Sequence, residues 1–226
     1  MTKAEMQAAL RELADPSVAD YMQKVVSDTG YPMLFVPMAA VRKVAKAAAK
    51  TAYLTQGPFV YYEEVVCAGL AAAYAKCPLA QRLEQLRRLL PCLDSWAMTD
   101  SIFPTLHFVP EERELLWDFA MECLAGEGEY TVRSGVVILL RFFLTEDRCA
   151  EVASRLTALR DARYYVQMAV AWCFAEMAVH HYEIVEKVLE SGELTLFIHN
   201  KTIQKMRESY RISPKKKEAA LRLRRK

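Results

Sequence analysis

The chain has 226 residues, 53% hydrophobic and 26% charged, with a formal net charge of +2. That length suits one compact domain or one continuous solenoid, and so large an apolar share excludes disorder over most of it. No apolar run reaches the roughly 18 to 20 residues of a membrane span, and the amphipathic start MTKAEMQAALREL has no apolar signal-peptide core, so the expected location is cytoplasmic.

In chain order, residues 3–14 predict an amphipathic helix stopped by Asp15-Pro16. A short helix follows over 17–27, and Asp28-Thr29-Gly30-Tyr31-Pro32 is a loop. Pro37 opens a helix with Val41, Val44 and Ala45 on one face and Arg42, Lys43 and Lys46 on another; proline suits a first turn because its missing N–H has no partner there. Further helices are predicted at about 58–76, 79–90, 95–107, 111–125, 129–144, 147–160, 162–180, 182–190, 198–210 and 214–225. Breaks fall at Pro58, Pro78, Pro91, Pro110, Gly126/Gly128, Gly192 and Pro214. With only seven glycines, no β-rich run and a predominance of Ala, Leu, Glu, Lys, Arg and Met, the class is all-α. So many short helices with brief turns suit a solenoid of stacked pairs better than a simple bundle.

Trp96, Arg133 and Trp172 are placed mid-helix, at steps of 37 and 39 residues. Those steps approach the roughly 40-residue HEAT-type unit. The six cysteines (Cys67, Cys77, Cys92, Cys123, Cys149, Cys173) are scattered without a CxxC pair, which suits small core residues in a reducing compartment. The histidines have no metal-ligand spacing either, and His180–His181 marks a helix end. Charge is uneven. Residues 200–226 hold eleven Lys/Arg against two Glu, nine charges positive, which leaves the preceding 199 residues seven negative. A basic C-terminal helix or tail over 214–226 is either a site for an anionic partner or a solubilising appendage.

The segment SWAMTDSIFPT carries the most chemistry. Trp96 and Asp100 stand at i and i+4, so one helical face presents an indole beside a carboxylate. An aromatic face can contact a sugar, and an adjacent carboxylate can stabilise positive charge developing on it and orient a water. Glycosyl cleavage through an oxocarbenium-like transition state needs that combination. A core tryptophan with a capping or solvated aspartate is the structural alternative. In YYVQMAVAWCFAE, Val166, Ala169, Val170 and Cys173 form a packing stripe, and Trp172 either joins it or faces a groove.

WAMTDSIFPT, VRSGVVILLRFF, YYVQMAVAWCFAE and NKTIQKMRESYRIS, in this order and spacing, resemble the AlkD-like DNA-alkylation-repair glycosylases. The resemblance runs from about residue 18 to 213 and takes in YPMLFVPMAAVRKVAK and YYEEVVCAGLAAAYAK. It implies one HEAT-like repeat domain over 1–226, C-shaped, with duplex DNA along a concave groove. It also implies excision of cationic N3- or N7-alkylated purines, such as 3-methyladenine and 7-methylguanine, without flipping the base into a pocket. Trp96, Trp172 and Asp100 fall on the family's active-site tryptophans and catalytic carboxylate, and Arg133 on its groove arginine. Arg42, Lys43, Lys46, Lys201 and Lys205 are the further candidates for the phosphate contacts that duplex binding requires. Alkylated double-stranded DNA is the implied partner of a monomer, with no metal or organic cofactor. Departures from the family's active members are Met168 after Gln167, Ala175 three residues beyond Trp172, and the short LADPSVAD connection. They keep two other functions open: a non-catalytic binder of DNA structure and a protein-interaction scaffold.

Overall fold

In the computed structural model, which describes residues 1–50 and 57–226, every regular element is helical. The α-helices are α1 (Lys3–Glu12), α2 (Ala19–Val25), α3 (Met38–Ala48), α4 (Tyr62–Tyr74), α5 (Leu79–Leu89), α6 (Trp96–Ile102), α7 (Arg113–Leu124), α8 (Glu129–Phe142), α9 (Cys149–Ala158), α10 (Tyr164–His180), α11 (Tyr182–Ser191), α12 (Leu196–Glu208) and α13 (Pro214–Arg222). Their ends follow local chemistry. Thr2 and Glu5 form a capping box on α1, and Ser95, Thr195 and Ser213 accept backbone N–H bonds at the starts of α6, α12 and α13. Gly192 ends α11 at φ 71°, a conformation that costs glycine nothing. His180 closes α10, as the sequence suggests. The helix expected over 95–107 is shorter: α6 ends at Ile102 in a tight turn over Phe103–Thr105, because Pro104 has no N–H to continue it.

Residues Met1–Ser134 form one compact unit and Gly135–Lys226 a second, the division falling inside α8. In the first unit α4 is the central helix. All its residues from Tyr62 to Ala73 are buried, and α1, α3, α5 and α6 pack around it. Gly69 permits the closest of these approaches: a Cβ there would lie 2.4 Å from Ile102 Cδ1 on α6 and 2.9 Å from Leu89 Cδ2 on α5. Burying α4 also buries Glu63. Its carboxylate accepts the Leu34 N–H at 2.9 Å and the Val36 N–H at 3.2 Å. Those two donors flank Phe35, which is held at φ 61°, a region that non-glycine residues enter only when surrounding contacts insist.

The second unit is built around α10, which packs against α9, α11 and α12, while α13 lies on α12. Val166, Ala169, Val170 and Cys173 are buried there, so the expected stripe is core. The basic C-terminal segment is docked. His199 Nε2 meets the Leu223 carbonyl at 2.8 Å, Asn200 exchanges two bonds with the Arg225 backbone, and the Arg225 guanidinium donates to the carbonyls of Gly192 and Leu194. Cys67, Cys123, Cys149 and Cys173 are buried; burial pushes the Cys67 and Cys123 thiols up to about 12, which leaves them unreactive at neutral pH. Among the described residues no helix is long and apolar enough to cross a membrane.

Candidate functional site

Helix α6 carries the sequence-predicted pair. Trp96 stands at its first position, not mid-helix, because Ser95 accepts the Ala97 N–H and caps the helix there. Both Trp96 and Asp100 remain partly open to solvent. The first unit brings Arg133, near the start of α8, to the same place. Its Nε donates to Asp100 Oδ1 at 3.0 Å and its Nη2 to Asp100 Oδ2 at 2.7 Å, a two-point fork. The Arg133 side chain is only 6% exposed and that of Asp100 16%. The Thr99 hydroxyl lies 2.9 Å from Asp100 Oδ1 and accepts from Arg133 Nε at 3.2 Å. Such a fork fixes the carboxylate plane and engages one lone pair on each oxygen; with the Thr99 hydroxyl also directed at Oδ1, the second lone pair of Oδ2 remains for another donor.

Sequence reasoning did not find the residue that holds the front of α6. Asp28 accepts the Trp96 N–H at 2.9 Å, the Ser95 hydroxyl at 2.9 Å and the Tyr130 hydroxyl at 2.8 Å. It thereby answers an N–H left over at the helix start and places negative charge at the positive end of the dipole. Next to it, Asp94 accepts from Thr29 Oγ1 and the Gly30 N–H, both at 2.7 Å, which fastens the 28–31 loop beneath α6. Tyr130 and Arg133 lie one turn apart on α8, so α8 grips α6 twice: through Asp28 at its first residue and through Asp100 at its fifth.

The other end of α6 is held by Arg42. Its guanidinium donates to Tyr74 Oη at 3.0 Å, to Thr105 Oγ1 at 3.2 Å and to the Ser101 carbonyl at 3.5 Å. Its neighbours Lys43 and Lys46 are exposed, Lys46 lying 5.4 Å from the Tyr74 ring. The three cations that the sequence groups together therefore divide, with Arg42 bound to the protein and the two lysines facing outward.

In the second unit Trp172 is half-buried and lines an open cleft of about 360 Å³ with Glu176, Lys205, Glu208, Tyr210 and Arg211. It belongs to a surface as well as to the core helix. Ala175 forms part of the same wall. The cleft is charge-balanced, since Arg211 pairs with Glu176, and Lys205 and Glu208 are its remaining charged groups. Lys201 lies a turn earlier on α12, bonded to Gln204 Oε1 at 2.8 Å and set 5.8 Å from the Phe197 ring. Among the described residues no three His, Cys, Asp or Glu side chains gather in a way that could hold a metal ion.

The described helices thus hold a carboxylate one turn from a part-exposed indole, with a buried arginine forked onto it. The family model described as "DNA alkylation repair enzyme" matches residues 6–212. No curated protein and no solved structure matches the chain significantly. The family match spans nearly the whole chain, and the protein belongs to the DNA alkylation repair enzyme family.

Proposed function

We propose that the protein is a DNA glycosylase that hydrolyses the N-glycosidic bond of cationic N3- or N7-alkylated purines in duplex DNA. The observation that carries this reading is the Asp100 carboxylate, held by the Arg133 fork and partly exposed beside the Trp96 indole. In the proposed reaction the C1′–N bond breaks with both electrons passing to the purine, which leaves as a neutral alkylated base. The oxocarbenium ion that remains faces Asp100. A water adds to C1′ and gives its proton to the carboxylate, and an abasic sugar is the product. The leaving group is already cationic and departs readily, so the base need not enter a pocket. Trp96 and Trp172 contact the deoxyribose, and the helices within each unit stack as HEAT-like repeats. Arg133 acts on this reading by orienting Asp100 instead of gripping a phosphate. Lys43, Lys46, Lys201 and Lys205 supply backbone contacts.

Incubation with methylated duplex DNA tests the proposal. Free 3-methyladenine or 7-methylguanine is the expected product, and Asp100→Asn should slow its release by about 10² to 10³, or 3 to 4 kcal/mol, as loss of other preorganised charge sites does. No release at high enzyme excess would overturn it.

A second reading, a DNA-structure binder without excision, draws on the Trp172 cleft. Two carboxylates, Glu176 and Glu208, lie near the indole, and Ala175 stands where active members of the resembled family have arginine. Salt-dependent binding to bulged or branched DNA without base release would favour it.

A further inference from the structure

Among the described residues, two arginine side chains have no hydrogen-bond, ion-pair or ring partner: Arg207 and Arg224. Every other arginine is engaged, whether by a carboxylate, a carbonyl, a hydroxyl or an aromatic face. Arg207 is on α12 and Arg224 follows α13, yet both are exposed and line the same groove, about 740 Å³, in the second unit. Lys201, Phe197, Leu196 and Leu221 line it too, and no Asp or Glu does. Lys201 has only the neutral Gln204 amide and the Phe197 ring beside it, so its charge is not compensated either.

The groove is built. Its α13 wall is held to α12 by the His199–Leu223 and Asn200–Arg225 bonds and to α11 by Tyr182, whose hydroxyl donates to the Lys216 carbonyl at 3.2 Å. Neither arginine takes part in that docking, whereas Arg225 next door is fully used by it. Two free guanidinium forks and an ammonium around one uncompensated cavity match anionic oxygens spaced along a chain. Arginine's planar donors suit phosphate in particular.

We infer that the α12–α13 groove holds the phosphate backbone of the DNA, as a contact separate from the indole–carboxylate site. The inference rests on the reading that DNA is the substrate. It extends that reading by naming a second surface, for which neither arginine needs to approach the lesion. Helix α12 links the two clefts of this unit: Lys205 lines the Trp172 cleft, and Lys201 and Arg207 line the groove with α13. A strand that follows α12 would meet cations on both sides.

The test compares wild type with Arg207→Gln/Arg224→Gln on an undamaged 20-base-pair duplex across a salt series. Arg155→Gln/Arg222→Gln is the charge-matched control, because those exposed arginines are already paired with Glu151 and Glu218. Removing one arginine–phosphate bond should lower the salt slope by about one. The slope of the groove variant should therefore fall by about two, and its deficit against wild type should shrink roughly tenfold between 50 and 200 mM salt. The control should keep the wild-type slope. An unchanged slope in the groove variant, or an equal change in the control, would overturn the inference. So would polyglutamate of matched charge competing as well as DNA, which would point to an acidic protein instead. Release of alkylated base by excess enzyme separates this from the parent proposal. Release with an unaffected slope sinks the groove alone, and a lowered slope without release sinks the glycosylase alone.

Discussion

Asp28 offers the sharpest perturbation, because three donors converge on one carboxylate and one of them is the backbone of the residue that carries the indole. Replacing it with alanine leaves the Trp96 N–H, the Ser95 hydroxyl and the Tyr130 hydroxyl without their acceptor. A hydrogen bond to a charged group contributes about 1.5 to 3 kcal/mol net, and bonds that share one acceptor group are not additive. The two hydroxyls can turn toward other acceptors, and Asp28 is partly exposed, so the expected loss is about 2 to 4 kcal/mol. Asp28→Asn is the informative companion. It keeps the shape and one oxygen for the Trp96 N–H, and its amide can donate to a hydroxyl that reverses its role. What it loses is charge at the helix start, about 1 kcal/mol. Urea unfolding followed by far-ultraviolet circular dichroism gives both values, with Asp94→Ala as the neighbour that fastens the same loop without touching α6. If Asp28→Ala unfolds within about 0.5 kcal/mol of wild type, α6 is not held from its first turn. If it is destabilised but base release by the folded fraction is unchanged, the clamp has no part in the chemistry.

Three further outcomes follow from the same packing and hydrogen bonds. Arg133→Ala should cost about 2 to 4 kcal/mol, less than a fully buried pair because Asp100 is partly exposed, and should slow base release; lowered DNA affinity at unchanged stability would instead make Arg133 a phosphate ligand. Gly69→Ala should cost about 1 to 3 kcal/mol through overpacking against Ile102 and Leu89; the loss should be smaller in an Ile102→Val background, which lacks the nearest carbon, and equal losses in the two backgrounds refute that cause. Burial holds the His199 imidazole below its ordinary range, with Arg225 adding to this and the Leu223 carbonyl opposing it. A group whose pKa is lower folded than unfolded contributes its stability above the ordinary histidine value and loses it as pH falls toward the folded value. The urea midpoint should therefore drop more between pH 7.5 and 5.5 in wild type than in His199→Gln, and parallel drops would exclude this histidine as the cause.

The helices were legible because their punctuation is local. Proline and glycine breaks, together with capping serine and threonine, lie within a few residues of the ends they set, so the predicted order of elements matches the observed one. The α6 pair was legible for the same reason, since i and i+4 share a face in any helix. Its supports were not. Asp28 acts on Trp96 across 68 residues and on Tyr130 across 102, distances over which no periodicity carries information. Glu63 shows the same limit: it and its neighbour Glu64 are both buried at the start of α4, and Glu63 gathers N–H groups around Phe35 from 29 and 27 residues away.

Net charge was the weakest guide, because what matters for an anionic ligand is which cations are left over. Part of that was in the sequence. Arg87, Arg88, Arg148, Arg155 and Arg222 each have a glutamate three or four residues away and pair with it. Arg207 and Arg224 have no acid at those offsets and stay unpaired. The rule screens out but does not select. Arg42 also lacks a local acid and is consumed by Tyr74, Thr105 and Ser101, while Arg133 has Glu129 one turn back and nonetheless forks onto Asp100. An arginine without a local acid is therefore a candidate for ligand binding only once the tertiary fold has declined to use it. By that criterion the arginines left over among the described residues are Arg207 on α12 and Arg224 just after α13, whereas Arg133 is forked onto Asp100.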